Sequence, residues 1–140
     1  MSEKLRQEGF SFNIEKAGNV SFMYESEAMV QVLINLIDNS IKFGKNEPIK
    51  EITLSLKPQG DWMKISLLDT GPGIPRYALK KVFDDFFRVE NELTRNTRGT
   101  GIGLALVNKY IRSMGGSVSA KNNAGPGCAI TILLPIKNPI

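Results

Sequence analysis

Apolar and polar residues alternate along "FSFNIE" (10–15), "EITLSLK" (51–57) and "WMKISLLD" (62–69), the period of a strand with one buried face. The turn "PQGD" separates the last two and predicts a hairpin. "NVSFMY" reads as a short second strand after the first, and "SVSAK" and "CAITILLP" read as a closing pair around the turn "NNAGPG". Between these runs the period becomes helical. From start signals at Glu25 and Ser26, a stripe of Met29, Val32, Leu33, Leu36, Ile37 and Ile41 predicts a long helix, ended by Gly44 and "KNEP". "GTGIGLALVNKYIRSMGG" is a glycine loop running into a second helix, with Leu104, Val107, Ile111 and Met114 apolar and Gly115 and Gly116 as the stop. Strand, strand, helix, hairpin, loop, helix, hairpin is the order of an α+β two-layer sandwich. It predicts one mixed, mostly antiparallel sheet with helices on one face.

One stretch obeys neither period. From Arg76 to Arg98 the chain is strongly charged, with an aromatic knot, "VFDDFFR" (82–88), and a polar tail, "VENELTRNTR". A long aperiodic stretch in a compact domain points to function. Neither an internal repeat nor a second domain is visible, so the chain reads as a single domain over 1–140.

Composition then narrows the chemistry. The net charge of +4 suits an anionic ligand, but no basic stripe suggests nucleic acid. The single cysteine, Cys128, excludes an internal disulfide framework and fits a reducing compartment. The chain contains no histidine, which excludes Ser-His-Asp and Cys-His catalysis and histidine-ligated zinc within it. No apolar run approaches the roughly 20 residues that span a bilayer. "MSEKLRQEGF" lacks the apolar core of a signal peptide. The expectation is a soluble, cytoplasmic, monomeric fragment without membrane contact.

Three segments carry candidate chemistry. On the first long helix Asn35, Asn39 and Lys42 fall at i, i+4 and i+7, so one face bears two amides and an ammonium. An Asn oxygen is a suitable hard ligand for Mg²⁺, Lys42 offers charge to phosphates, and Phe43 offers a flat face to a base. Asp69 stands at the mouth of the turn "DTGPGI", where it can accept from a ligand amine. "GTGIGL" (99–104) opens a helix, and free amides there with the macrodipole behind them suit phosphate. Neither a Rossmann fingerprint nor a Walker A loop is present. Taken singly, each segment also reads as an ordinary solvated face, turn or helix-start loop.

In combination and in this order, Asn-x-x-x-Asn-x-x-Lys-Phe, Asp-x-Gly-x-Gly, "VFDDFFR" and Gly-x-Gly-x-Gly resemble the ATP-binding catalytic domain of sensor histidine kinases. That group lies within the gyrase, chaperone, histidine kinase and mismatch-repair ATPase superfamily. The resemblance spans about Gly9 to Pro135 and implies a Bergerat-type fold with about three helices on one face of the sheet. It implies ATP and Mg²⁺ as cofactors, with Asn39 ligating the metal and Asn35 beside it. Lys42 and Arg88 would contact phosphate, Phe43 would pack on adenine, and Asp69 would accept from the exocyclic amine. Gly71, Gly73 and Ile74 would close over the base. Gly99, Thr100, Gly101, Ile102, Gly103 and Leu104 would cradle the phosphates. Residues 76–98 would form the ATP lid, with Phe83, Phe86 and Phe87 as its aromatic box and 89–98 mobile without nucleotide.

Two departures stand out. Cys128 occupies a position where the family usually has Thr, and Glu25 one where Asp is frequent. Superfamily members that hydrolyse ATP, and the anti-sigma serine kinases, carry Glu where this chain has Asn35; an amide cannot take a proton, so the resemblance implies a protein-histidine kinase. A gyrase-type ATPase, a serine kinase or a degenerate regulatory nucleotide-binding module are the alternatives. Without histidine the chain cannot be its own phosphoacceptor. The implied partners are the histidine-bearing dimerisation segment of the same kinase and a response regulator.

Overall fold

The computed structural model describes residues 2–16, 26–83, 102–123 and 127–136. Five strands form one sheet: β1 (Ser11–Lys16), β2 (Glu51–Gln59), β3 (Trp62–Asp69), β4 (Ser117–Asn122) and β5 (Cys128–Pro135). Their spatial order is β1-β2-β3-β5-β4. β1 runs parallel to β2, and every other neighbouring pair is antiparallel. The sheet is thus mixed and mostly antiparallel, as the alternation predicts. "NVSFMY" lies outside the described residues, as do Glu25 and most of the aperiodic stretch.

Alternation sorts the side chains. Ile52 and Leu54 of β2, Met63, Ile65 and Leu67 of β3, and Ile130, Ile132 and Leu134 of β5 are buried on one face. Against them lie α2 (Ser26–Gly44) and α3 (Ile102–Ser113). The predicted stripe of α2 is the buried one: Met29, Val32, Leu36, Ile37 and Ile41 join the core, with Leu33 packed against it. From α3, Val107 and Ile111 are fully buried, with Leu104 and, just beyond the helix, Met114 at the margin. Each buried aliphatic side chain of this size contributes about 1.5–3 kcal/mol. The opposite face carries Thr53, Ser55, Lys57, Lys64, Ser66 and Thr131, which line a shallow depression of about 520 Å³. A polar face left to water is normal for an antiparallel sheet.

Two details depart from the sequence reading. A short helix, α1 (Ser2–Gln7), precedes β1. Leu5 is its one apolar residue in the core, too little to give a helical period. Tertiary contact holds it: the Phe10 N–H donates to Leu5 O at 2.8 Å, that of Gly9 to Arg6 O at 3.1 Å, and Phe10 joins Leu5 in the core. The hairpin turn is also shorter than "PQGD". β2 continues through Pro58, paired with Met63, to Gln59, leaving Gly60 and Asp61 as the turn. The described β1 pairing runs to Lys16–Leu56 and does not include Pro58.

At the far end of α3 the expected stop is present. Gly115 takes φ +81°, and the N–H groups of Gly115 and Gly116 cap the carbonyls of Arg112 and Ile111 at 3.0 and 2.9 Å.

Candidate nucleotide site

α2 carries two sets of residues, one facing the core and one on a separate, more exposed face. Ser40 belongs to the inner set. It lies at helical spacing from Leu36, Ile37 and Ile41 and is only 6% exposed. A buried hydroxyl needs a partner, and its Oγ–H donates to Asp69 Oδ2 at 2.9 Å. Asp69 ends β3 at the point where the glycine turn begins. Its Oδ1 accepts from the Gly71 N–H at 3.0 Å and the Cys128 N–H at 3.4 Å. The Cys128 thiol lies 3.7 Å from Oδ2. Burial, and then the negative charge of Asp69, push that thiol well above its ordinary pKa. It is therefore a neutral, weak donor.

The loop after Asp69 is fastened at both ends. Thr70 Oγ1 accepts from the Glu51 N–H at 2.9 Å and donates to Ile49 O at 2.8 Å. Asn122, at the end of β4, clamps Ile74: the Ile74 N–H donates to Oδ1 and Nδ2 donates to Ile74 O, each at 2.7 Å. Asn123 Nδ2 donates to Asp69 O at 3.2 Å. Gly127, with φ +95°, stands so close that an added Cβ would lie 1.7 Å from Asp69 O. Only glycine permits that approach.

The outward set of α2 is held more loosely. Gln31 Nε2 donates to Asn35 Oδ1 at 3.1 Å. Lys42 Nζ lies 3.3 Å from Asp38 Oδ2, and Asp38 is also paired with Lys4 of α1. Burial opposes the charge on Asp38, but the two lysines outweigh it and hold the carboxyl below its usual pKa. Asn39 and Phe43 are half-buried on the same helix.

The structure thus sets Asp69 and Gly71 against the helix that bears Asn35, Asn39, Lys42 and Phe43, and the Gly73–Ile74 end of the loop against Asn122. α3 begins at Ile102, so the backbone of Ile102, Gly103 and Leu104 forms a helix start as expected. Phe86, Phe87, Arg88, Gly99, Thr100 and Gly101 lie outside the described residues. Ahead of them the chain is packed: Ala78 and Val82 are buried and Phe83 lies against the core. Sequence reasoning missed Ser40, Thr70, Asn122 and Asn123. Ser40 was detectable as a lone hydroxyl within an apolar stripe. The other three gave no local signal.

Comparison with known proteins follows the same outline. Residues 24–138 match the family described as histidine kinase-, DNA gyrase B- and HSP90-like ATPase. The chain is 37% identical over 131 residues to the sensor histidine kinase RcsC of Salmonella typhimurium, covering 94% of the chain and 14% of that protein. It is 34% identical over 113 residues to the sensor histidine kinase WalK of Bacillus subtilis, covering 81% of the chain and 18% of that protein. The chain therefore spans less than a fifth of these relatives' length. Among solved structures, the catalytic domain of histidine kinase ThkA superposes with a TM-score of 0.81 at 28% identity, covering 96% of this chain and 84% of that one. The mycobacterial sensor histidine kinase MprB gives 0.78 at 25%, covering 99% and 90%. ThkA has also been solved in complex with the response regulator TrrA.

Proposed function

The chain belongs to the histidine kinase-, DNA gyrase B- and HSP90-like ATPase family, as an ATP-binding catalytic domain of the sensor histidine kinase kind; from that premise we propose that it binds Mg-ATP and donates the γ-phosphoryl group to a histidine on a separate dimerisation segment. The observation that carries this reading is the Asp69 carboxylate, fixed at the mouth of a glycine turn against the helix that bears Asn39 and Lys42. A fixed carboxylate accepts a hydrogen bond from the 6-amine of adenine and repels the 6-carbonyl of guanine. A buried polar mismatch of that kind discriminates strongly.

The donor set fits the metal. Asn39 supplies a hard amide oxygen on the face that carries Lys42, whereas the Asn35 oxygen already accepts from Gln31. Asn39, with Asn35 beside it, would hold Mg²⁺, which would supply positive charge to offset that of the phosphates. Lys42 adds a point charge, and the amides at the start of α3 add the positive end of a helix dipole. Arg88 and the lid residues would complete the phosphate shell. Asn35 cannot act as a general base, so the site suits an acceptor that is itself a good nucleophile, such as imidazole, better than water. The domain, a single unit over 1–140, would work in the cytoplasm with its histidine segment and a response regulator as partners.

Calorimetric titration with ATP, with and without Mg²⁺, and with GTP as control, tests this. Adenine-selective binding strengthened by Mg²⁺ is expected; no binding at millimolar ATP would overturn the reading. Incubated alone with labelled ATP the chain should acquire no stable label, and it should label a supplied histidine segment.

A further inference from the structure

We propose that Ser40 is a positioning residue for base recognition: its hydroxyl orients the Asp69 carboxylate so that Oδ2 is the oxygen presented to a ligand amine. The inference rests on the nucleotide-binding reading of the site and adds to it which oxygen recognises the base and what holds that oxygen in place.

The two carboxylate oxygens are not equivalent. Oδ1 accepts from two backbone N–H groups, those of Gly71 and Cys128, at 3.0 and 3.4 Å. A ligand that displaced either would leave a backbone donor without its partner, at real cost. Oδ2 accepts the Ser40 hydroxyl at 2.9 Å and otherwise faces only the Cys128 thiol at 3.7 Å. A thiol is a weak donor, so a ligand N–H that takes its place gives up little. The incoming donor therefore goes to Oδ2. With a thiol rather than a hydroxyl at position 128, Ser40 is the strong donor to Oδ2 among the described residues.

Its placement adds a second consequence. Ser40 follows Asn39 directly and precedes Lys42 by two residues, so the bond to Asp69 ties the base-recognising carboxylate to the helix that faces the phosphates. Ser40 is buried, so water competes little for its hydroxyl.

The test compares wild type, Ser40→Ala, Asp69→Asn and the double variant by calorimetry with AMP, ATP and ITP. AMP isolates the base end, and ITP carries a 6-carbonyl in place of the amine. Ser40→Ala should weaken AMP and ATP by the same factor, about five- to tenfold, and leave ITP nearly unchanged. It should add nothing once Asp69→Asn is present. Equal weakening of ATP and ITP, or additivity with Asp69→Asn, would mark Ser40 as merely structural and overturn the proposal. Should Ser40→Ala fail to fold, Ser40→Cys keeps a weak donor of similar size. An intermediate ATP-to-ITP ratio then supports the proposal, and an unchanged ratio overturns it. A failure of the underlying reading looks different: wild type itself would bind ATP and ITP alike, or neither, and both proposals would fall.

Discussion

In the site proposed above, the base end around Asp69 and the phosphate end on the outward face of α2 are built on opposite principles. At the base end, Asp69 is held by a buried hydroxyl from α2, two backbone amides and the close approach of Gly127. At the phosphate end, Asn35 is held by a neighbouring Gln31 side chain and Lys42 by an ion pair whose members are 41% and 27% exposed. The contrast suits the proposed ligand. A purine is rigid and presents a fixed donor, so a fixed acceptor gains specificity without losing entropy on binding. A triphosphate is flexible and highly charged, and long side chains can follow it.

The contrast can be broken most severely at Gly127. Gly127→Val places a branched side chain against Asp69 O at a backbone angle it resists. We expect a loss of about 3 kcal/mol or more in urea unfolding; an unchanged midpoint would mean the base end is not rigid. Asp69→Asn comes next. Removing a charged acceptor should weaken ATP and AMP alike by about 10- to 100-fold, read by calorimetry. Lys42→Ala should sharpen the comparison, costing about tenfold on ATP, fading with added salt, and sparing AMP. Equal effects on ATP and AMP would show that the two ends are not separable.

The smallest effect is at Asp38. Asp38→Asn should cost less than about 1 kcal/mol of stability at neutral pH, as partly exposed pairs do. Folding holds this carboxyl below its ordinary value. Its contribution is therefore complete above about pH 4 and disappears as pH falls through the folded value. Wild-type and variant unfolding curves should converge at the acid end, and a gap that widened there would refute the pairing.

How far the sequence reached differs between these regions. The shared face of Asn35, Asn39 and Lys42 was legible because they lie on one helix, where spacing alone fixes it. Asp69 was legible as the last strand residue before a glycine turn. The clamps on that turn were not: Asn122 reaches Ile74 across 48 residues and Asn123 reaches Asp69 across 54. Likewise α1 has too few apolar residues to give a period, and only its packing reveals it. Pro58 reads locally as a strand end, yet the strand passes through it to Gln59, paired all the way with β3.

The sequence by itself determined what repeats over a few residues: strands by alternation, α2 and α3 by their buried stripes, and the polar face of α2. Tertiary structure alone decided the order β1-β2-β3-β5-β4, the parallel pairing of β1 with β2, and the set of donors around Asp69. The reason is range. Periodicity records which way a side chain faces, and every helix or strand exposes that in its own residues. Which distant group waits on that side depends on how the elements pack, and no local pattern encodes it.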